Sequence, residues 1–533
     1  MVNEELASKL YEIADLLDLD GERFKPEAYR RAARVLEQTV EDLELIRREH
    51  RLGSIPGIGE ALTKKIEEYL DTGKIGYLDK LRTAHPSGVV KLMRLEGLGP
   101  KTARRLWLEL GVASPTELIH AIDEGRLSGV KGFGTKRIAQ FREAAIKGPN
   151  RERIGLPVAQ AVADQLLKDL ADTGVSYDRL TYAGSLRRRR ETVGDLDLLA
   201  TSPKPAALID AFVKLPSVES VKMSGDTKAT VLLKSGLQVD LRVVAPESFG
   251  AALQYFTGSK DHNIQIRTMA LERNLSINEY GITRHGTLVR AKEEAEVYSV
   301  LDLPYIRPEL RENSGEIEAA HSGELPDQPD SFLPSAELHI HTSGALEPWL
   351  EAGRNVGLDT LGFVLTPGAP DLGGARVSRS NGTPIHALRG WEVEASIQSS
   401  REIPWTEIDY LLLRPDASGA LDLEVLDSTA ISEHRVPAFI VHLEELRPSP
   451  SKIRWDLMSQ ASIGLEVGVM DDRVTCESSL VRKAVTSGVR IMISSRPLRT
   501  QDLRRIMLAR DLAYRGWAGR QDFYDPSHTS LPG

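Results

Sequence analysis

The chain has 533 residues, too many for a single hydrophobic core, so three or more domains are expected. Its formal net charge of −9 excludes a uniformly basic coat for nucleic acid, although local basic segments leave room for phosphate binding. The single cysteine, Cys476, excludes an internal disulfide framework and a thiolate zinc site. No apolar run is long enough for a signal segment or a membrane span, which favours a soluble protein of the reducing cytoplasm.

The first part of the chain is predicted to be helical. Residues 4–46 carry apolar side chains at helix spacing, namely Leu6, Leu10, Ile13, Leu16 and Leu17. From there to about residue 145 the pattern is one of short helices broken by glycine-rich turns.

Three related segments recur in this region, at 55–66, 95–106 and 130–141. Each places two glycines, separated by one apolar residue, just before an amphipathic helix. Glycine allows a tight turn, and the helix N-terminus presents amide groups and partial positive charge to a phosphate. A single G-x-G can merely end one helix and start another, but three copies favour contact with the DNA backbone. The residues concerned are Gly57, Gly59, Gly97, Gly99, Lys101, Gly132 and Gly134.

These segments resemble the helix-hairpin-helix motif. The resemblance implies sequence-independent binding of the DNA backbone, with a monovalent cation between peptide carbonyls and phosphate. We therefore expect an N-terminal helical domain at residues 1–85, which holds the first segment, and a helix-hairpin-helix DNA-binding domain at residues 86–149.

A mixed α/β region is predicted at about residues 150–310, because the apolar segments there become short and strand-like. Asp195 and Asp197 alternate along one predicted strand, so both side chains project from the same face, ~6.6 Å apart. Asp240 lies in another alternating strand, at 237–244. Two such carboxylates can bridge metal ions that sit ~3.5–4 Å apart, as in phosphoryl-transfer sites. A third carboxylate from an adjacent strand would complete the metal shell.

Upstream of the aspartates lies a turn suited to an anionic phosphate. Gly184 and Ser185 offer amides and a hydroxyl, and Arg187 and Arg188 offer positive charge. An isolated D-x-D motif is more often a solvated strand end. The turn, the arginine pair and three strand carboxylates together are far more specific, and they predict a phosphoryl-transfer site.

This arrangement resembles the nucleotidyltransferase palm of the family X DNA polymerases, and residues 255–282 resemble the nucleotide-contact region of that family. The resemblance covers about residues 1–320. It implies a palm at 150–250 and a thumb-like nucleotide-selection subdomain at 251–312. By position in the family pattern, the nucleotide-binding residues are Gly184, Ser185, Arg188, Tyr255, Phe256, Gly258 and Asn263.

The same pattern assigns separate roles around the nucleotide. Tyr255 and Phe256 would lie against the incoming sugar, and Gly258 would permit a close backbone turn there. Asn263 would contact the minor-groove edge of the incoming base, and Arg267 the template strand. From residue chemistry alone, Tyr255 and Phe256 could equally be core aromatics.

The resemblance also implies two divalent ions in the palm, Mg²⁺ by default or Mn²⁺, bound by Asp195, Asp197 and Asp240. One ion would activate the primer 3′-hydroxyl, and the other would neutralise the triphosphate and the leaving pyrophosphate. Asp240 is the best-placed acceptor for the primer proton. The expected partners are gapped or primer-template DNA and deoxynucleoside triphosphates, with no membrane, and the protein is expected to act as a monomer.

The resemblance also gives the N-terminal domain a candidate lyase activity, because some members of this family remove a 5′-deoxyribose phosphate through a Schiff-base lysine. Lys65 aligns with the nucleophile, and Lys25 and Tyr29 align with accompanying phosphate and orienting positions. Ala61 and Phe24 depart from the family pattern, which has lysine and histidine there. A helix lysine that contacts phosphate is therefore an equal alternative for Lys65.

Residues 313–332 are acidic, aperiodic and contain Pro, Gly and Ser, so they are interpreted as a linker. Residues 333–533 alternate strand-like and helical segments, which predicts an α/β barrel-like domain. The predicted strands lie at 336–342, 361–366, 409–413, 438–443, 463–469 and 490–494.

The segment 337–344 resembles the opening metal motif of the polymerase-and-histidinol-phosphatase domain. Intact members of that family hold a multi-metal cluster and act as 3′-to-5′ exonucleases. The resemblance gives His339, His341, Glu392 and His442 as candidate ligands for a metal in this domain.

Several ligand positions of that family are replaced in this chain. Glu337 stands where the family usually has Asp, and the donors expected within 364–370, 414–418 and 494–500 are missing. Each missing imidazole or carboxylate removes a ligand, and arginine adds repulsion. An inactive scaffold that retains at most one ion is favoured over an active nuclease.

The preferred function is gap-filling DNA synthesis in repair, such as base excision repair or end processing. One alternative is a nucleotidyltransferase that extends ends without a template, which the glycine hairpins, Asn263 and Arg267 disfavour. The other is a DNA-binding repair scaffold whose catalytic centre is inactive. The complete set of three aspartates argues against this alternative.

Overall fold

The computed structural model contains two compact units, Met1–Arg153 and Ile154–Gly533. No helix in the part of the chain that the structure describes is long and apolar enough to cross a membrane. The described residues are 2–22, 24–38, 43–55, 57–93, 95, 97–130, 132–147, 153–284, 287–289, 291–327, 335–342, 344–364, 377–378, 385–394, 403–404, 407–415, 436–441 and 453–524.

The first unit is helical, as the spacing of its apolar residues predicts. The stretch 4–46 is divided among three helices, and Gly21, with φ of +81°, follows the end of the first one. A 3₁₀ turn at Leu52–Ser54 precedes the fourth helix. The helices are α1 (Val2–Asp20), α2 (Lys25–Gln38), α3 (Leu43–Arg48), α4 (Glu60–Thr72), α5 (Gly76–Ala84), α6 (Ser87–Met93), α7 (Pro100–Leu110), α8 (Pro115–Asp123) and α9 (Thr135–Lys147).

Each of the three glycine segments forms a tight turn before a helix. The first glycine of each segment has a positive φ, at Gly57 (+81°), Gly97 (+78°) and Gly132 (+88°). Gly59 and Gly99 are the N-caps of α4 and α7. Because the first amides of a helix have no intrahelical acceptor, each turn leads into donors suited to a phosphate oxygen.

The second unit begins with a mixed α/β region built on a five-stranded sheet. Its elements are β1 (Ile154–Gly155), α10 (Leu156–Asp172), β2 (Arg179–Tyr182), α11 (Gly184–Arg187), β3 (Thr192–Val193), β4 (Asp195–Thr201), α12 (Pro205–Val213), β5 (Val218–Ser224), β6 (Lys228–Leu233), β7 (Gln238–Val243) and α13 (Phe249–Thr257). The strand order is β2-β4-β7-β6-β5, and β4 and β7 are parallel while the other neighbours are antiparallel. The two strands predicted to carry the aspartates correspond to β4 and β7.

A smaller subdomain follows, with a three-stranded antiparallel sheet in the order β10-β9-β8. Tyr298 and Ile306 are buried in its core, and Tyr514 from the C-terminal region packs into the same cluster. The elements are α14 (Lys260–Glu272), β8 (Leu275–Asn278), β9 (Gly281–Arg284), β10 (Thr287–Val289), α15 (Ala295–Ser299) and α16 (Glu316–Ser322).

The interpretation of residues 313–332 as a linker is wrong for α16. Glu316 and Ile317 are buried, and Glu316 Oε1 lies 2.7 Å from Nδ1 of the buried His262. The helix is too short to show a sequence period, and tertiary contacts rather than local propensity order it.

The C-terminal region contains seven parallel strands that follow one another in chain order and form a nearly closed, barrel-like sheet. This confirms the predicted α/β barrel-like architecture. The elements are β11 (Ala336–Ile340), α17 (Glu347–Val356), β12 (Thr360–Val364), β13 (Val377–Ser378), β14 (Ile385–Glu394), β15 (Tyr410–Arg414), β16 (Ala438–Ile440), α18 (Trp455–Gln460), β17 (Ile463–Gly468), α19 (Ser478–Thr486), β18 (Ile491–Ser494) and α20 (Ile506–Arg515).

One of these seven strands, β14, was not predicted. It lies between β12 and β15, and the short β13 pairs with it in antiparallel orientation. Polar residues such as His386, Arg389 and Glu392 interrupt its apolar pattern, so the sequence does not read as a buried parallel strand.

Candidate functional site

Three aspartates lie on β4 and β7, the parallel strand pair of the five-stranded sheet. Asp197 and Asp240 are register partners on β4 and β7. Asp195 lies two residues before Asp197 on the same face of β4, and the intervening Leu196 is buried. The structure therefore brings together the three carboxylates that the sequence predicts.

The surroundings of Asp197 raise the pKa of its carboxyl group. Burial, and then the negative charges of Asp195 and Asp240, raise the pKa of Asp197 to about 7, against the opposing influence of Arg188 and Lys228. A shift in this direction arises where like charges are close and water is partly excluded. Additional positive charge would therefore stabilise the fully ionised cluster.

Asp240 is held by side chains of the neighbouring strand and of its own strand. Its Oδ1 accepts a hydrogen bond from Thr230 Oγ1, and its Oδ2 accepts one from Gln238 Nε2 at 2.9 Å. Lys228 Nζ lies 3.9 Å from Asp240 Oδ1. Sequence reasoning missed Thr230 and Lys228, although their two-residue spacing on β6 places both on one face of the strand.

The predicted phosphate turn lies directly against the aspartates. Gly184 begins α11 with φ of +60°, and Ser185 follows it in the same helical turn. A Cβ added to Gly184 would lie 2.2 Å from Asp197 Oδ2. Glycine is required there because any side chain would displace the carboxylate.

The two arginines after this turn have different partners. Both Nη atoms of Arg187 donate to Glu294, at 2.9 and 2.7 Å. Arg187 is thus held by a buried carboxylate that Arg311 shares, and its contact with a phosphate stays a prediction. Arg188 donates from Nε to Glu312 Oε1 at 2.9 Å and from Nη1 to the main-chain oxygen of Thr257 at 2.5 Å.

The corner between α13 and α14 carries the predicted nucleotide contacts. Gly258 has φ of +72°, and a Cβ there would lie 3.1 Å from Arg188 Nη1. The rings of Tyr255 and Phe256 meet edge to face with centroids 5.2 Å apart. Asn263 Nδ2 donates to the main-chain oxygen of Tyr255 at 2.8 Å. Arg188 thus links this corner to the aspartates.

Two more side chains support this corner and were missed from the sequence. Arg242 on β7 lies with Cζ 4.4 Å from the centroid of the Phe256 ring. Gln254 Nε2 donates to Asn263 Oδ1 at 2.7 Å. Arg267 is exposed on α14, in the third turn of that helix.

In the first unit, Lys65 and Tyr29 converge on Tyr77, which the sequence reasoning also missed. Lys65 Nζ lies 5.2 Å from the centroid of the Tyr77 ring, and the Tyr29 ring stacks on Tyr77 with centroids 6.3 Å apart. Burial and then Tyr77 raise the pKa of Tyr29 to about 12. Lys25 begins α2, and its Nζ pairs with Glu22 at 2.9 Å.

The C-terminal strands assemble a second polar cluster. Glu337 on β11 is fully buried and accepts hydrogen bonds from Ser494 Oγ at 2.8 Å and from both N and Oγ of Ser495 at 2.6 Å. Burial raises the pKa of the Glu337 carboxyl despite these donors. Both serines come from the segment 494–500, where the resembled metal family has metal ligands.

His339 lies between carboxylates in the same cluster. Its Nδ1 is 2.6 Å from Glu466 Oε1, and Arg496 Nε donates to Glu466 Oε2 at 3.0 Å. Burial lowers the pKa of His339, but Glu466 and then Glu392 outweigh burial and raise it to about 9. The imidazolium form has no lone pair with which to bind a metal.

His339, His341 and Glu392 could nevertheless hold one ion after loss of that proton, because their ligand atoms all lie within 4.8 Å of one another. Glu392 Oε2 is 3.1 Å from His341 Nε2, and Arg414 Nε is 3.8 Å from Glu392 Oε1. His442, the fourth ligand that the resemblance gives, lies outside the described residues, as do residues 365–370 and 416–418.

Three protein families match separate parts of the chain. A helix-hairpin-helix domain matches residues 1–75, and a SAM-like helix-hairpin-helix tandem matches residues 89–145. The DNA polymerase beta thumb matches residues 252–312. These matches confirm the helix-hairpin-helix prediction and the thumb-like subdomain.

Similar proteins include the DNA polymerase/3′-5′ exonuclease PolX of Bacillus subtilis, which is 38% identical over 326 residues, or 60% of this chain and 56% of the relative. DNA polymerase lambda of Rattus norvegicus is 24% identical over 345 residues, or 58% of this chain and 56% of the relative. Repair DNA polymerase X of African swine fever virus is 31% identical over 158 residues, or 28% of this chain and 86% of the relative. The chain thus spans little more than half the length of the first two.

Proposed function

The chain belongs to the family X DNA polymerases, and from that premise we propose that it fills short gaps in DNA during repair by template-directed nucleotidyl transfer. The observation that carries the proposal is the register of Asp197 opposite Asp240, with Asp195 on the same face and the Gly184 turn against the cluster. The comparisons support the substrate class, since the similar proteins are named as DNA polymerases.

We propose that Asp195, Asp197 and Asp240 bind two divalent cations, with Mg²⁺ preferred. The donor set fits hard cations, because it consists of carboxylate oxygens, and burial together with their mutual repulsion raises the pKa of Asp197. When bound, the ions acidify the primer 3′-hydroxyl and offset the charge that develops on the triphosphate.

The protein's own groups position the reactants. The Gly184 turn and Arg188 bind the triphosphate, because the turn supplies amides and Arg188 supplies a guanidinium beside the aspartates. Asp240 accepts the primer proton at a carboxylate oxygen, which Thr230 and Gln238 hold in place. Asn263, fixed by its bond to the main chain at Tyr255, faces the incoming base.

The three glycine turns are proposed to bind the DNA backbone, with a monovalent cation as an additional bridge. The support is that each turn leads into a helix N-terminus, and that Lys101 is exposed in the first turn of α7. Sequence-independent contacts of this kind suit a protein that must bind gaps of any sequence.

A 5′-deoxyribose-phosphate lyase activity that uses Lys65 is a second candidate function, because Lys65 and Tyr29 both lie against the ring of Tyr77. A Schiff base formed by Lys65 with a 5′-deoxyribose phosphate would be trapped by borohydride as a stable protein–DNA conjugate. Trapping by the unaltered protein but not by Lys65→Ala supports the lyase. Equal trapping by both proteins assigns Lys65 to phosphate contact.

For the C-terminal domain we propose a structural role without a multi-metal cluster. The support is that Ser494, Ser495 and Arg496 engage the carboxylates of Glu337 and Glu466 at the positions where metal ligands are expected. The experiment that tests the main proposal is Mg²⁺-dependent primer extension on gapped duplex DNA. Extension without a template would favour a terminal transferase, and DNA binding without extension would favour a scaffold.

A further inference from the structure

Helix α20 of the C-terminal domain carries three charged residues that are buried. Arg510, Asp511 and Arg515 have relative exposures of 7%, 6% and 8%. Charged side chains are seldom so buried unless they are paired. Arg510 pairs with Asp511 at 2.9 Å, whereas the remaining partners come from the polymerase region.

These partners lie in two places. One is the arginine loop, which we define as residues 187–191 and which begins at the last residue of α11. The other is the end of the thumb-like subdomain. Arg189 Nη2 pairs with Asp511 Oδ2 at 3.1 Å. Arg515 Nη1 donates to Glu312 Oε1 at 2.8 Å and to the main-chain oxygen of Arg188 at 3.0 Å. The C-terminal helix therefore contacts both the backbone of the arginine loop and the carboxylate that faces it.

Glu312 is shared by three guanidinium groups. Its Oε1 accepts hydrogen bonds from both Arg188 and Arg515, and Arg190 Nη1 lies 3.6 Å from its Oε2. Burial raises the pKa of Glu312, but Arg515, Arg188 and then Arg190 outweigh burial and lower it to about 2. The carboxylate is thus ionised at neutral pH, and its single negative charge is divided among three positive side chains.

This division determines how much positive charge Arg188 can offer to a ligand. Arg515 Nε also lies 3.6 Å from Glu191 Oε1, so the group consists of three arginines, at 188, 190 and 515, and two carboxylates, at 191 and 312. With Arg515 present, this group has a net positive charge beside the aspartates and Gly258. Without Arg515, the two remaining arginines are balanced by the two carboxylates, and Glu312 would draw the Arg188 guanidinium away from a phosphate.

We propose that Arg515 is a positioning residue for the incoming deoxynucleoside triphosphate, acting from the C-terminal domain through Glu312 and the main-chain oxygen of Arg188. The inference rests on the proposed polymerase function and on Arg188 as a triphosphate contact. It gives the C-terminal domain a role in nucleotide affinity that needs no metal and no nuclease chemistry.

The test uses the full chain in single-nucleotide insertion on a gapped duplex, with kcat and KM measured separately. Arg515→Ala is expected to raise the KM for the nucleotide about tenfold while kcat and DNA affinity change less than threefold. Adding Glu312→Gln to Arg515→Ala is expected to lower KM again by at least threefold, because it removes the negative charge that pairs with Arg188. Arg454→Ala, an exposed arginine of the same domain that pairs with Asp456, is the matched control and should leave both constants unchanged.

The split between KM and kcat separates positioning from a structural role, since partial unfolding lowers the apparent kcat and leaves the KM of the folded fraction unchanged. An Arg515→Ala protein that is folded by circular dichroism and keeps the KM of the unaltered chain overturns the inference, as does a double variant no better than Arg515→Ala. If Arg515→Ala does not fold, Arg515→Lys takes its place, because one ammonium cannot reproduce the guanidinium geometry. Its KM should rise at least threefold, and an unchanged KM overturns the inference. Absence of insertion by the unaltered chain would instead overturn the polymerase proposal.

Discussion

Asp197 and Asp240 lie opposite each other across the parallel strands β4 and β7, as register partners in one sheet. Neighbouring strands are about 4.8 Å apart, so two ionised carboxylates at this position repel each other. Burial, and then the charges of Asp195 and Asp240, raise the pKa of Asp197. An arrangement that is unfavourable in the protein alone becomes favourable when cations are bound, which is expected of a metal-binding site rather than of a packing contact.

Asp197→Asn is therefore expected to reduce nucleotide incorporation at least about 10³-fold, because it removes a metal-binding charge and retains the size of the side chain. DNA affinity should be unchanged. In metal-free protein at pH 8, the melting temperature should not fall, since the substitution relieves carboxylate repulsion. Primer extension, fluorescence anisotropy with gapped DNA and thermal melting measure the three effects.

Asp210→Asn is the matched control for this substitution. Asp210 is an exposed aspartate on α12 that pairs with Lys214 in the next turn, and its loss should leave extension unchanged. Near-normal extension by Asp197→Asn would remove the assignment of the metal site.

A second prediction concerns acid stability around Glu294, which pairs with Arg187 and Arg311. Burial raises the pKa of Glu294, but Arg311 and Arg187 outweigh burial and lower it to about 2, below the ordinary value of 4.5. A lowered folded-state pKa stabilises the fold above pH 4.5, and this contribution is lost as pH falls toward 2. Glu294→Gln should therefore lower the melting temperature strongly at pH 7 and less at pH 3.5.

The free energy of unfolding should fall by roughly 3–5 kcal/mol at pH 7 in Glu294→Gln, because two buried guanidinium groups lose their charged partner. Scanning calorimetry at the two pH values measures the change. Glu318→Gln, at an exposed position on α16, should show no such difference. A deficit in Glu294→Gln that stays constant or grows at low pH contradicts a lowered pKa for Glu294 in the folded protein.

The sequence predicted the aspartate cluster because a two-residue period places Asp195 and Asp197 on one face regardless of tertiary structure. It could not predict that Arg187 pairs with Glu294, since Glu294 lies 107 residues away and no local pattern relates the two. For the same reason Arg515 gave no signal, because no local pattern relates the three charged residues of α20 to their partners in the polymerase region. Pairings between distant segments depend on packing, which periodicity does not describe.

A third prediction concerns Lys101, at the N-terminus of α7. If its ammonium contacts a phosphate, Lys101→Ala should weaken DNA binding and reduce the slope of log affinity against log salt by about 0.9. Binding measured by anisotropy from 50 to 300 mM salt gives the slope. Lys80→Ala, at an exposed position on α5, is the control and should keep the slope of the unaltered chain.

The same titration tests the preference for gaps. Because the glycine turns and the polymerase region are proposed to hold separate parts of the DNA, a short gap, which lets the duplex bend, should bind more tightly than intact duplex. Affinity for both should decrease with added salt. Equal affinity for gapped and intact DNA at every salt concentration contradicts this arrangement.

For the C-terminal domain, the sequence predicted the fold, and the structure was needed to show which side chains pair. Its barrel-like fold followed from alternating apolar segments, and the replaced ligand positions were visible in the sequence. The pairing of Glu337 with Ser494 and Ser495, and of Glu466 with Arg496, required the strand register. Among the described residues, these side chains satisfy Glu337 by hydrogen bonds and balance the charge of Glu466 with Arg496.

The last prediction follows from that charge balance. A phosphoesterase site must retain enough ligands to bind metal and to activate a water molecule near neutral pH. His339 is instead held as an imidazolium by Glu466 and Glu392, and Arg496 occupies the other oxygen of Glu466. The full chain carrying Asp197→Asn, which separates nuclease from polymerase activity, should therefore show no 3′-to-5′ degradation of DNA with Mg²⁺ or Mn²⁺. The full chain is used because α20 packs against the polymerase region. A His339→Ala/His341→Ala variant on the same background should behave identically in denaturing gel assays. Robust degradation that disappears in that variant would restore an active nuclease and overturn the structural role proposed for the domain.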